Sequence, residues 1–159
     1  MTQFEIKNFP EITLSGYATS LPVPTMENIN EVSKSKSAHF FQFAQSGKFA
    51  ALMKESRDQI GFAISTTSED QAEYFAGANT TAVDKKAVTK VIPAGDYLVL
   101  AASGSASREL FDQLIATFFG EILPANPEIH LADHFVVEAL LNGNPLDSEV
   151  ELRVPVSQK

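Results

Sequence analysis

Val91-Ile92-Pro93-Ala94-Gly95-Asp96-Tyr97-Leu98-Val99-Leu100 is the stretch on which the fold turns. Apolar residues run up to a Pro-Ala-Gly break and resume beyond it. Val88 to Ile92 and Asp96 to Ala102 therefore read as two strands with a tight connection. A stretch of the same kind opens the chain. Phe4-Glu5-Ile6 and Ile12-Thr13-Leu14-Ser15-Gly16-Tyr17-Ala18 alternate in strand fashion about the break at Phe9-Pro10. Phe9-Pro10-Glu11-Ile12-Thr13-Leu14 stands in the first half where Ile92-Pro93-Ala94-Gly95-Asp96-Tyr97 stands in the second. Identity between the halves is low, so the repeat rests on the order of elements.

Beyond these opening strands the two halves also match in kind. After Pro22 and Pro24, Thr25 is placed to cap a helix carrying Met26, Ile29, Val32, Phe40 and Phe43 near helical spacing. The polar run Ser33-Lys34-Ser35-Lys36-Ser37 predicts a bend or break in it. Gly47 reads as its stop, and Phe49 to Lys54 as a short further helix. Strands are expected at Ile60 to Ser65 and Glu73 to Ala78, with a polar turn at Thr66 to Asp70. In the second half, Ser103-Gly104-Ser105-Ala106-Ser107 reads as a turn ending in a helix cap. It lacks the Gly-x-Ser-x-Gly of a nucleophile elbow and the lysine of a phosphate loop. Leu110, Leu114 and Phe118 then share one helical row, flanked by Phe111, Ile115 and Ile122, and Pro124 and Pro127 close it. Two last strands, His134 to Leu141 and Glu149 to Val156, are joined by a turn at Asn142-Gly143-Asn144-Pro145-Leu146-Asp147. The chain thus reads β-α-β-β twice: an α+β fold of tandem duplicated βαββ modules, an antiparallel sheet with two main helices and a central cleft. Residues 1–159 form one domain on this reading, with pseudo-symmetric halves of about 1–80 and 81–159. The seam between them is the expected pocket.

Composition narrows the function. A chain of 159 residues, 44% hydrophobic and 20% charged, has the makeup of a globular domain. Twelve Lys and Arg against 20 Asp and Glu give a net charge of −8, which argues against direct nucleic-acid binding. The absence of cysteine excludes disulfides, thiolate zinc sites and cysteine nucleophiles, and suits a cytoplasmic setting. Met1 to Lys7 has neither a basic nor an apolar leader region, and no apolar run approaches the roughly 18 residues of a membrane span. His130, Asp133 and His134 have a metal-like spacing, but on a segment leading into a strand that spacing does not converge, so no metal is expected. No cofactor is expected either. Lys34-Ser35-Lys36 and Lys85-Lys86 read as solvated surface.

Four segments together resemble the gyrase-inhibitor-like (GyrI-like) superfamily, also called the AraC-type effector-binding domain. They are Ile60-Gly61-Phe62-Ala63, Glu73-Tyr74-Phe75-Ala76-Gly77-Ala78, Val91 to Leu100, and Ser148-Glu149-Val150-Glu151-Leu152-Arg153-Val154-Pro155-Val156, in the family's order. The resemblance implies paired βαββ modules about a pseudo-two-fold. It implies a central cleft that binds hydrophobic, often cationic, small molecules, and a role in transcription regulation or drug sensing. Many members carry an acidic residue in a strand motif of Phe-Glu-x-Tyr type. Here the segment reads His134-Phe135-Val136-Val137-Glu138-Ala139-Leu140. In one register Val136 takes the acidic position and Glu138 that of the Tyr. In the other, Glu138 is the acid and Leu140 replaces the Tyr. Both put Glu138 on the same sheet face as the family's acid.

Glu138 is thus the candidate cleft carboxylate, because an unpaired buried carboxylate is costly and a lipophilic cation would offset that cost. Its alternative is a solvent-facing glutamate on a half-exposed strand. Tyr97, Tyr74, Phe62 and Phe75, with Val136 and Leu140, are the other expected ligand contacts, and core packing is the competing account of each. Phe40, Phe43, Phe111 and Phe118 read as helix-to-sheet core, with a wall of the cleft the alternative for one or two of them. No catalytic residue is assigned. A binding module for hydrophobic or cationic molecules is the favoured function, as a scavenger, a sensor or half of a two-protein regulator with a separate DNA-binding partner. A hydrolase of electrophilic small molecules with Glu138 as general base is the first alternative; the absence of tryptophan weighs against it, because the family pattern for that activity favours a Trp in the cleft. A protein inhibitor of gyrase type is the second.

Overall fold

Alternating apolar residues make the strands and a 3.6-residue stripe makes each helix, and together they give nine strands and two principal helices among the described residues. The computed structural model describes residues 4–23, 25, 27–58, 60–68, 70–80, 87–142 and 147–158. In chain order the elements are β1 (Glu5–Phe9), β2 (Ile12–Leu21), α1 (Ile29–Gln45), α2 (Lys48–Lys54), β3 (Gly61–Thr67), β4 (Ala72–Ala78), β5 (Val88–Ile92), β6 (Gly95–Ser103), α3 (Ser107–Thr117), a π-helical turn (Phe118–Ile122), α4 (Leu123–Ala125), β7 (Ile129–Leu131), β8 (Phe135–Leu140) and β9 (Glu149–Gln158). The expected contributions of Pro24, Met26, Lys85-Lys86 and the Gly143-Asn144-Pro145-Leu146 turn lie outside the described residues.

The sheet runs β1-β6-β9-β8-β3-β4-β2-β5, with β7 added on β9. Outward from the central β3–β8 pair, one side reads β4, β2, β5 and the other β9, β6, β1. The opening strand of each half crosses over: β1 pairs with β6, and β5 pairs with β2. Every pair is antiparallel. The expected α+β architecture of duplicated modules is the one found.

Both helices cover one face. Leu98, Leu100, Leu152 and Val154 lie under Leu110, Phe111, Leu114 and Phe118 of the α3 segment. Ala63, Tyr74 and Ala76 lie under Val32 and Phe43 of α1 and Phe49 and Leu52 of α2. On the opposite face the sheet curls around a second core of Leu14, Phe62, Ile64, Phe75, Ile92, Tyr97, Val137 and Ala139, which draws residues from strands near both ends of the order. Gly16 and Gly77 face each other across β2 and β4. A Cβ on Gly16 would lie 2.1 Å from the Ala76 carbonyl oxygen, so this close approach requires glycine.

Several local expectations change. α1 is unbroken through Ser33 to Ser37, because Val32, Lys36, Phe40 and Phe43 keep one stripe against the sheet while the serines turn outward or half outward. Thr25 does not hold the cap position of α1, which is Asn28; its hydroxyl accepts from the Asn28 amide at 3.2 Å and the Asn28 side chain accepts from the Thr25 amide at 2.7 Å, a reciprocal pair that closes the turn leading into the helix. Gly47, at φ 82°, separates α1 from α2. The cap of α3 differs from expectation, since Ala106 occupies that position and offers no side-chain acceptor. Among the described residues no helix is long and apolar enough to cross a membrane.

Candidate functional site

A cavity of about 230 Å³ lies between α1 and α3 above the strands at the centre of the sheet. Lys36, Phe40 and Ala44 stand four residues apart on α1 and form one wall; Phe41, 63% exposed, stands at the rim. Arg108 and Phe111, on the first turns of α3, form the other. The floor holds Gly61 and Ala63 of β3, Tyr74 of β4, and Glu138 and Leu140 of β8. Small residues make the space. Ala63 sits directly opposite Glu138 in the β3–β8 register, and Ala76 is the next residue across.

Glu138 is the centre of the polar end. Its side chain has no exposed surface. Arg108 grips it with both terminal nitrogens, Nη1 donating to Oε1 at 2.9 Å and Nη2 to Oε2 at 2.8 Å. The Tyr74 hydroxyl donates to Oε1 at 3.3 Å, and Lys36 Nζ lies 3.9 Å from Oε2. Arg108 is held in turn by Asp112, one helical turn on, with Nε donating to Oδ1 at 2.9 Å. Ser33 of α1 donates to the other oxygen of Asp112. Tyr74 is steadied by the edge of His39 at 5.8 Å, whose Nε2 lies 2.9 Å from the Tyr17 carbonyl oxygen. The network therefore ties α1, α3, β4 and β8 together.

The charges follow from this packing. Burial pushes the Glu138 carboxyl up, but the Arg108 and Lys36 charges and the hydrogen bonds from Arg108 and Tyr74 outweigh it, so its pKa is lowered. Burial disfavours the Arg108 cation, and Glu138 more than compensates, so its pKa is raised. Tyr74 is pushed up by burial and by the Glu138 charge. Lys36 is lowered, with burial the largest cause and Arg108 adding to it against Glu138 and Asp112. A carboxylate held ionised, enclosed and clamped is poorly placed to act as a general base toward a substrate's water.

The structure brings Glu138, Tyr74, Leu140 and Phe62 to the cavity, although the Phe62 ring packs in the opposite core and only the rest of the residue borders the floor. It does not bring Tyr97, Phe75 or Val136 there. Strand alternation turns Tyr97 and Phe75 to the other face, where the Tyr97 hydroxyl donates to the Pro93 carbonyl oxygen at 2.6 Å. Val136 shares the face of Glu138 but is taken up by the core under α3. Phe40 and Phe111 wall the cavity, whereas Phe43 and Phe118 pack in the cores. Lys36 corrects the surface reading of Lys34-Ser35-Lys36, since its side chain is only 10% exposed. Sequence reasoning missed Arg108 altogether. Its signal was an arginine at the start of an amphipathic helix, four residues before an aspartate.

The family described as integron-associated effector binding protein matches residues 5–156. No curated protein sequence matches the chain. Among solved structures, SAV2435 bound to tetraphenylphosphonium is 13% identical with a TM-score of 0.77, over 98% of this chain and 94% of that one. An integron cassette protein from the mobile metagenome of Vibrio cholerae is 14% identical with a TM-score of 0.67, over 97% and 95%. The EcmrR C-terminal domain is 14% identical with a TM-score of 0.62, over 99% and 98%. EcmrR in its complex with DNA matches over 99% of this chain, which spans 58% of that one, at 15% identity and a TM-score of 0.62.

Proposed function

The chain belongs to the integron-associated effector binding protein family, and we propose that it holds its effector, a small hydrophobic organic molecule, in the cavity between α1 and α3. The observation that carries this reading is the composition of that cavity: apolar walls from Phe40, Phe41, Phe111 and Leu140 around a single polar end. Apolar walls with a few fixed polar groups are what small-ligand sites have in common. On this reading Glu138, Tyr74 and Leu140 act in the site, with Lys36, Arg108, Phe40 and Phe111 beside them.

Of the two ligand classes that the sequence suggests, the hydrophobic one has the walls in its favour. A cationic ligand such as the tetraphenylphosphonium of SAV2435 would reach Glu138 only by displacing Arg108. Signalling to transcription would pass through a DNA-binding partner, since an acidic net charge of −8 does not favour contact with phosphates. The cysteine-free composition favours a cytoplasmic setting for that pair.

A thermal-shift titration with naphthylmethanol tests the site. A ligand at 100 times its dissociation constant adds about 2.7 kcal/mol. Ala44→Trp, which fills the cavity from α1, is expected to abolish the shift without unfolding the protein. A shift of unchanged size in that variant would place the ligand elsewhere.

A further inference from the structure

We infer that the effector carries an anionic group, a carboxylate on an aromatic body, and that Lys36 is the residue that meets it. This deepens the cavity reading above and rests on it.

Three charged groups border the cavity, and they differ in how far they remain available to a ligand: Lys36 and Arg108 against Glu138. Arg108 is committed, since its guanidinium donates to both oxygens of Glu138 and to Asp112. Glu138 is committed and enclosed, with no side-chain surface left to touch. Lys36 is not. Its ammonium has three donors, yet it makes no hydrogen bond with any described residue. Its nearest carboxylate oxygen, on Glu138, is 3.9 Å away, and the Tyr74 ring centroid is 5.7 Å away. The side chain is nevertheless nine-tenths buried, on the α1 wall of the cavity. An ammonium removed from water without an acceptor is costly, and an incoming acceptor would supply what the protein withholds.

A second feature points the same way. Ala106 and Ser107, at the start of the 11-residue α3, also border the cavity. The cap position Ala106 has no side-chain acceptor for the first amides of that helix. Those amides carry partial positive charge, which favours an anion beside them. The single acidic residue of that first turn, Glu109, is exposed. A lipophilic cation in this cavity would face an ammonium, a guanidinium and a helix N-terminus, and its only counter-charge would be a carboxylate already neutralised. A lipophilic anion would face the same groups as attractions. The cavity, at about 230 Å³, is smaller than typical ligand clefts of roughly 300–1,000 Å³, which suits a compact, flat molecule.

Three probes of one shape separate the charge question from the cavity question: naphthoate, naphthylmethanol and naphthylmethylammonium, titrated calorimetrically into the full chain at pH about 7. Naphthoate is expected to bind at least about tenfold more tightly than the ammonium, a difference of about 1.4 kcal/mol. Lys36→Met should remove that preference while keeping the affinity for the alcohol, and Lys36→Arg should keep the preference. If Lys36→Met folds poorly, Lys36→Gln serves as the second neutral variant. Equal affinity for all three probes, the ammonium binding best, or a naphthoate affinity indifferent to both neutral variants overturns the inference and leaves the cavity reading standing. Failure of all three probes to bind overturns the cavity reading, and the inference with it.

Discussion

Two arginines with largely enclosed side chains lie on opposite faces of one sheet and are held in different ways. Arg108 comes from α3 and reaches its carboxylate, Glu138, on β8, so the pair joins a helix to the sheet. Arg153 lies on β9 and pairs with Glu151 two residues away on the same strand, with Nε donating to Oε1 at 3.1 Å. The side chains are similarly buried, 14% exposed for Arg108 and 11% for Arg153. Their surroundings differ. Glu138 has no exposed surface, whereas Glu151 keeps 17%. Arg153 lies over the ring of Phe9 at 4.3 Å and that of Phe62 at 5.6 Å, whereas Arg108 has, among the described residues, a single, more distant ring, that of Phe111 at 5.7 Å. Burial of a cation alone therefore does not say what it holds together. The tertiary pair closes the site, and the local pair with its aromatic faces packs the curl.

The sharpest way to break this contrast is to remove a carboxylate from each pair. Glu138→Ala leaves Lys36 without its nearest counter-ion and Arg108 with Asp112 alone. Breaking a buried pair from one side costs about 3–5 kcal/mol, and urea unfolding at constant slope would read it. Glu151→Ala should cost less, since its partner keeps two aromatic faces. The double variant Arg108→Met with Glu138→Leu should recover most of the loss, because a buried pair is often replaceable by apolar residues of similar volume. Equal losses from Glu138→Ala and Glu151→Ala, or a double variant no better than the single, would erase the distinction.

Acid pH gives a smaller effect of defined sign. The folded pKa of Glu138 lies below its ordinary value of 4.5. Its contribution to stability is therefore complete above that value and is lost as pH falls through the folded pKa. The stability gap between the wild type and Glu138→Gln should narrow steadily below pH 4.5. Lys36 works in the other direction. Its folded pKa is lowered from 10.5, so the cost of its buried charge is relieved as pH rises toward that value. Wild-type stability should gain on Lys36→Met over the alkaline range. A constant gap in either titration would mean that the two groups titrate alike in the folded and unfolded chain.

The sheet was the legible part of this protein, because alternation and turn chemistry are local. The Pro-Ala-Gly break and its counterpart at Phe9-Pro10 mark β5–β6 and β1–β2, and the Glu138 face followed from the period of two alone. The crossing of β1 and β5 into each other's halves was not legible, since low identity between the halves leaves only element order to read. β7, three residues long, gave too little pattern to read. The site was half legible for a related reason. A lone glutamate in Phe135 to Leu141 stands out against its apolar neighbours, whereas Arg108 and Lys36 sit among ordinary polar residues of helices. Their burial depends on where α1 and α3 land on the sheet. Lys36 also hides in its stripe, because its alkyl stem packs like an apolar residue while the ammonium reaches the cavity. Phe75 and Tyr97 misled for the opposite reason: the strand of Phe75 borders the site but its odd-even position turns it away, and Tyr97 faces the same opposite core from β6, which lends no residue to the cavity lining.

The smallest predicted effect falls on Arg153. If the aromatic faces do part of the work that Asp112 and Tyr74 do around Arg108, then Arg153→Ala should cost about 1–2 kcal/mol, within the range of a desolvated cation–π contact plus lost packing. Phe9→Leu, which keeps an apolar side chain at the edge strand but removes the ring, should lose part of that amount. It should lose little more when Arg153 is already alanine, because the two changes remove the same contact. The Glu151→Gln change should be additive with Phe9→Leu, since the carboxylate and the ring approach the guanidinium separately. Full additivity of Arg153→Ala and Phe9→Leu in the cycle would show that the stacking at 4.3 Å carries no energy. The local pair would then be held by Glu151 alone, and the two arginines would differ only in the distance along the chain to their partners.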